Sequence, residues 1–173
     1  MLLLKLIQSL VNALHSEGTP GQLAAGLALG SILGLTPLWN LHNAVVLALI
    51  VVLNVSFPGA MVGWALFVPV GFLLDPAFDW IGRTLLLETP ALQPLWTALY
   101  NAPVVPLTSF NNTIVLGSLV FAAALWLPLF LASRWGVVRY RATVAERVKR
   151  SAWYRTVAAS KLYNLYRLFR PEP

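Results

Sequence analysis

Apolar residues fill this chain in long blocks that short polar clusters interrupt, and neither Gly18 to Leu74 nor Thr89 to Ser133 contains a single Asp, Glu, Lys or Arg. The first block opens with TPGQLAAGLALGSILGLTP. Thr19 and Gln22 have the T-x-x-Q spacing of a capping box, and Pro20 suits the first helical position, so a helix is expected to begin here. Gly26, Gly30 and Gly34 recur every four residues and strip one face of that helix, which lets a second backbone approach closely. Pro37 ends it. The fifteen or so residues from Gln22 to Thr36 span roughly 22 Å, short of a hydrocarbon core of about 30 Å, which predicts a broken or re-entrant membrane helix.

Further elements follow from the same pattern. Residues 1–17 place Leu3, Leu6, Ile7, Leu10 and Leu14 on one stripe with Lys5, Gln8, Asn12 and His15 between, the pattern of an amphipathic interfacial helix. Leu41 to Ser56 is a second short apolar segment, closed by Asn54 and a break at Pro58. Met61 to Leu74 is a third, kinked at Pro69, with Gly59 and Gly63 as a second small-residue pair for helix packing. The charges of DPAFDWIGRTLLLE then predict a solvated loop from Asp75 to Glu88, within which Asp79 and Arg83 stand four apart and can pair on a helix surface. Four prolines between Pro90 and Pro106 predict a short helix flanked by irregular backbone, and Thr113 to Ser133 is long enough to cross fully.

Composition narrows the class. At 58% hydrophobic and 10% charged over 173 residues, the chain reads as an all-α integral membrane protein of short broken helices plus full spans. Without Cys and with only His15 and His42, it holds no Cys/His metal motif, and neither metal nor cofactor is expected. Charge divides the chain into an interfacial helix (1–17), an embedded domain (18–133) and a basic tail (134–173). The tail carries +8 and the remainder −2. The positive-inside rule puts the tail in the cytoplasm and residues 75–88 outside, with both termini inside. Arg139, Arg141, Arg147, Lys149 and Arg150 are candidates for contact with anionic phospholipid headgroups, and their place directly after a span argues against nucleic acid.

Two stretches read as an internal repeat. PLWNLHNAVVL (37–47) and PLTSFNNTIVL (106–116) match at five of eleven positions, each with a helix-breaking proline, Pro37 or Pro106, before a polar cluster. Asn40, His42 and Asn43 in one copy and Asn111 and Asn112 in the other are the candidate ligand residues. Helix N-termini beside them would direct partial positive charge at an anionic group such as a lipid phosphate. Equally, the Asn residues serve as helix caps with no ligand. An enzyme would have to use Asp75, Asp79 and Glu88 with His42, without nucleophile or metal motif, so no catalysis is expected.

AAGLALGSILGLTPLWNLH followed by LNVSFPGAMVGWALFVP resembles a widespread bacterial membrane family labelled a domain of unknown function, with the pattern A-x-G-x-A-x-G-x-x-x-G-x-x-P-x-x-G-x-H and a later Asn. Gly26, Gly30, Gly34, Pro37, His42 and Asn54 fall on it. Asn40 stands where the family has Gly, and Asp75-Pro76 where it has Asn-Pro. PLWNLHN and SFNNT resemble a subgroup that accompanies AsmA-like proteins, elongated β-rich proteins associated with carrying phospholipid across the periplasm. What the resemblance implies is an inner-membrane, lipid-handling or transport subunit with an AsmA-like partner. The alternative is a membrane anchor or assembly factor with no substrate.

Overall fold

The computed structural model describes residues 18–143, so the helix expected over residues 1–17 and the tail beyond Thr143 lie outside the described residues. Among the described residues the fold is all-α: α1 (Pro20–Leu35), α2 (Leu41–Val52), α3 (Phe57–Leu86), α4 (Gln93–Tyr100) and α5 (Thr113–Thr143), with 3-10 turns at Pro90–Leu92 and Val105–Thr108. α3 and α5 are long and apolar enough to cross a membrane; α1 and α2 are shorter.

α1 starts where its cap dictates. The Thr19 hydroxyl accepts from the Gln22 N–H at 3.2 Å while Gln22 Oε1 accepts from the Thr19 N–H at 2.8 Å, so two orphan donors of the first turn are satisfied. Gln22 also ties that turn to the next connection, donating from Nε2 to the Asn54 carbonyl at 3.1 Å and accepting the Ser56 N–H at 3.0 Å. At the far end Thr36 is extended and Pro37 follows it. Ten of the sixteen residues of α1 are buried, on every side of it, which makes this short helix the centre of the bundle. Its main neighbours are α3 and α5.

The α1–α3 contact is made by backbone. A Cβ at Gly26 would strike the Ser56 carbonyl, one at Gly30 the Ala60 carbonyl, and one at Gly34 the Trp64 carbonyl. In return, Gly59 faces Leu23, Gly63 faces the Leu27 carbonyl and Gly71 faces the Gly34 carbonyl. These numbers rise together, so α1 and α3 run parallel. α5 runs against α3: Gly117 meets Phe78 and Gly82 meets Thr113 near one end, whereas Val137 clusters with Val62 and Leu23 near the other.

The structure corrects the expected segmentation. α3 is one helix of 30 residues that begins at Phe57, with Pro58 in its first turn and the Ser56 hydroxyl accepting from the Gly59 N–H at 3.2 Å, and it continues through Pro69 and Pro76. Residues 75–86 are therefore helix rather than a solvated loop. Phe78, Gly82 and Leu86 lie on one helical face and are buried, and this packing outweighs the two prolines and the charges. Of those charges, Asp75 and Asp79 border that face and are half-buried, and Arg83 is exposed. Asp79 pairs with Arg83 at 3.0 Å and accepts from the Thr113 hydroxyl at the first residue of α5, where a helix N-terminus favours an acid. The segment after α3 folds back over its end, Gln93 Nε2 donating to the Leu86 carbonyl at 2.6 Å and Trp96 Nε1 to the Leu85 carbonyl at 2.9 Å. α5 runs on past Arg134 to Thr143, and Arg141 Nη1 donates to the Gly18 carbonyl at 2.8 Å.

Two substitutions on α5 separate close packing from mere helix propensity. Gly117→Ala drives a methyl into the Phe78 carbonyl and should cost about 3 kcal/mol or more, the upper range of overpacking. Gly136, with nothing within 4 Å of its added Cβ, should gain up to about 1 kcal/mol as Ala. Thermal unfolding of both variants in detergent checks this; equal midpoints would contradict the backbone contact.

Candidate functional site

The turn from Thr36 to Asn40 reverses the chain between α1 and α2, and its carbonyls need donors because α1 has ended. Asn43, in the first turn of α2 and 2% exposed, supplies them. Its Nδ2 donates to the Pro37 carbonyl at 2.8 Å and also lies 3.4 Å from that of Leu38. Its Oδ1 lies 2.9 Å from the Thr36 hydroxyl, which is also 2.8 Å from the Ile32 carbonyl and has one proton to give to either. Asn40 Nδ2 donates to the same Pro37 carbonyl at 2.8 Å. The break is thus stitched by its own side chains.

His42 is placed differently. Both imidazole nitrogens are shielded from solvent and make no hydrogen bond of ordinary geometry. The nearby backbone of Thr108 brings the 3-10 turn containing Pro106 against the start of α2. The two polar breaks therefore meet at His42 and Thr108. Asn112 instead caps α5, its Oδ1 accepting from the Val115 N–H at 3.2 Å, and Asn111 beside it is exposed. Asn43 and Asn112 have different partners. Asn43 sits three residues beyond the cap position of its helix, while Asn112 occupies the cap, so the aligned residues of the two copies do unlike work.

Beside this turn lies an open pocket of about 650 Å³ between α2 and α3, walled by Leu33, Leu38, Leu41, Ala44, Leu47, Met61 and Trp64, with Trp39, Asn40 and Asn43 also in its lining. The volume falls in the range of small-ligand sites, and the lining is apolar with amides at one end. Trp39 is 98% exposed beside it. Such walls suit a flexible hydrocarbon chain. Among the described residues no group of three His, Cys, Asp or Glu comes together that could hold a metal ion.

Sequence reasoning passed over Trp64, Met61 and Thr36, as well as Gly71, Gly82 and Gly117. For the glycines a signal existed: a glycine inside an apolar helix costs about 1 kcal/mol against alanine, so an isolated one implies a close contact. Of the basic candidates, Arg139 stacks over the exposed Trp135 ring at 5.5 Å and Arg141 holds Gly18, while Arg147, Lys149 and Arg150 lie outside the described residues.

Residues 5–145 match the family described as an uncharacterized protein conserved in bacteria (DUF2062). The chain belongs to this family. An uncharacterized protein of Treponema pallidum (strain Nichols) is 30% identical over 146 residues, covering 84% of this chain and 90% of the relative. No solved structure matches. The pocket, the turn and every described helix of this DUF2062 protein lie within the matched region.

Asn43→Ala strips the turn of its donor and should lower stability by about 1–3 kcal/mol, with no recovery in Asn43→Asp because a carboxylate cannot donate to Pro37. Asn112→Ala should cost about 1 kcal/mol, the loss of one cap. Denaturation of the purified variants reads both, and an Asn43→Asp protein as stable as the parent would contradict the donor role.

Proposed function

We propose that this protein is an inner-membrane lipid-handling subunit, in which the pocket between α2 and α3 receives a phospholipid acyl chain. The observation that carries the reading is the pocket itself: open, walled by Leu, Met and Trp, and ending at Trp39 and Asn40, an amphipathic rim for the headgroup end of a lipid. Trp64 of the pocket wall, whose indole Nε1 makes no hydrogen bond, keeps a donor for a polar group of that lipid. Two helices of spanning length support the membrane setting. In the proposed orientation the end that carries Arg141 and Gly18 is cytoplasmic and Thr84 is external; impermeant labelling of Thr84→Cys in intact cells reads it, and protection there would reverse it. An AsmA-like partner and anionic phospholipid complete the proposal, the partner resting on the motif resemblance alone.

A membrane anchor or assembly factor is the second reading. It is favoured by one specific observation: Asn40 and Asn43 spend their amides on the Pro37 and Leu38 carbonyls. A polar break that satisfies itself needs no ligand.

Ala44 lines the pocket and is exposed, so Ala44→Trp should fill the space without disturbing the core. In liposomes that carry the purified protein, the parent should speed exchange of a fluorescent phospholipid and Ala44→Trp should lose at least nine-tenths of that effect while unfolding at the same temperature. Exchange equal to protein-free liposomes for the parent would leave the anchor reading in front.

A further inference from the structure

Four helices change from apolar to polar at the same two levels. At one level lie the α1 cap at Thr19, the Asn54–Ser56 connection bound to Gln22, and Arg141 on the Gly18 carbonyl. At the other lie the Thr36–Asn43 turn and, because Gly71 packs on Gly34 and Leu35, the stretch of α3 just before Asp75. Between the levels α1, α2 and residues 57–74 of α3 carry no charge. On α5 the same interval runs from residue 121 to about residue 141, since Gly117 sits above it on Phe78, Val137 packs on Leu23 and Val62 about a turn inside the lower level, and Arg141 reaches Gly18 at that level. The height of this slab is the length of α1, whose 16 residues rise about 24 Å against a usual hydrocarbon core of about 30 Å.

The longer helices do not thicken it. The excess of α3 carries Asp75, Asp79 and Arg83 past the slab, while α5 meets the lower level at Arg141, and Arg134 and Arg139 in the turns just inside it have side chains long enough to reach the polar border. Tryptophan marks each border: Trp39 at the upper, and Trp135 under Arg139 at the lower. Exposed apolar side chains surround the slab on separate helices, among them Val45 and Val51 of α2, Phe72 and Leu73 of α3, and Leu127 and Leu131 of α5. One protein partner would cover one face. Acyl chains cover all of them.

We propose that this surface is a lipid belt about 24 Å thick, matched to a bilayer thinner than the usual core, whether built of short chains or compressed around the protein. The proposal rests on the membrane reading above and adds the thickness. A thinned annulus beside the pocket shortens the path a headgroup must cross, which suits a lipid-handling role.

The test reconstitutes the full chain into phosphatidylcholine vesicles with myristoleoyl, oleoyl or erucoyl chains. The unfolding midpoint should be highest in the myristoleoyl bilayer and fall by several degrees at each step. A midpoint that is flat or highest in the erucoyl bilayer overturns the proposal. In oleoyl vesicles with a water-soluble maleimide on both faces, Asp75→Cys should label and Val70→Cys should not, in a chain with no other cysteine. Protection of both would place the border beyond Asp75 and also overturn it. Failure to insert into any of the bilayers would remove the membrane reading itself, a different result from insertion without preference.

Discussion

The carbonyl of Ala60 stands where any side chain at position 30 would have to begin, and the arrangement of this bundle depends on that contact and its neighbours. In a lipid-like surrounding, apolar side chains gain little by meeting each other rather than solvent, so helices associate through close van der Waals packing, which glycine faces permit. Gly26, Gly30 and Gly34 on α1 meet Gly59, Gly63 and Gly71 on α3 along a parallel pair, and Gly82 and Gly117 bring α3 and α5 together in the opposite sense. A short α1 can hold the centre of a bundle whose other main members are about twice its length. It also sets the height of the apolar slab that the surrounding helices share.

Much of this arrangement was visible along the chain. The capping box at Thr19, the four-residue glycine spacing and the stop at Pro37 are local signals, and α1 follows them almost to the residue. The proline-rich stretch after Glu88 likewise reads as one short helix among irregular turns, which is what α4 and its flanks are. Residues 75–86 did not read as a continuation of α3, because Pro76 and three charges outvoted the periodic Phe78, Gly82 and Leu86 whose burial needs α5 to be in place. Tertiary contact, absent from any local window, decided that segment. The same holds for Arg141, which looked like one more cation of a basic tail and instead reaches the Gly18 carbonyl across the whole chain.

The candidate site was legible in position and not in its internal chemistry. Its polar residues mark the turn after α1, yet nothing in PLWNLHN says that Asn43 will face Thr36 and the Pro37 carbonyl, since that depends on how sharply the chain reverses. The pocket was invisible for the same reason: Leu33, Ala44, Met61 and Trp64 come from three helices and form a wall only once α2 lies over α1 and α3. The repeat of PLWNLHN and PLTSFNN does bring its two copies near each other, at His42 and Thr108 rather than through the paired asparagines.

A double-mutant cycle at Gly30 and Ala60 tests most directly whether α1 and α3 touch through backbone. The obstruction to a methyl at position 30 is the carbonyl of residue 60, so removing the Ala60 side chain cannot relieve it. The folded fraction recovered in detergent should collapse for Gly30→Ala and stay collapsed when Ala60→Gly is added, with no favourable coupling between the two changes. Restoration of the parent's folded fraction in the double variant would mean that side chains, not backbones, meet there, and would contradict the account.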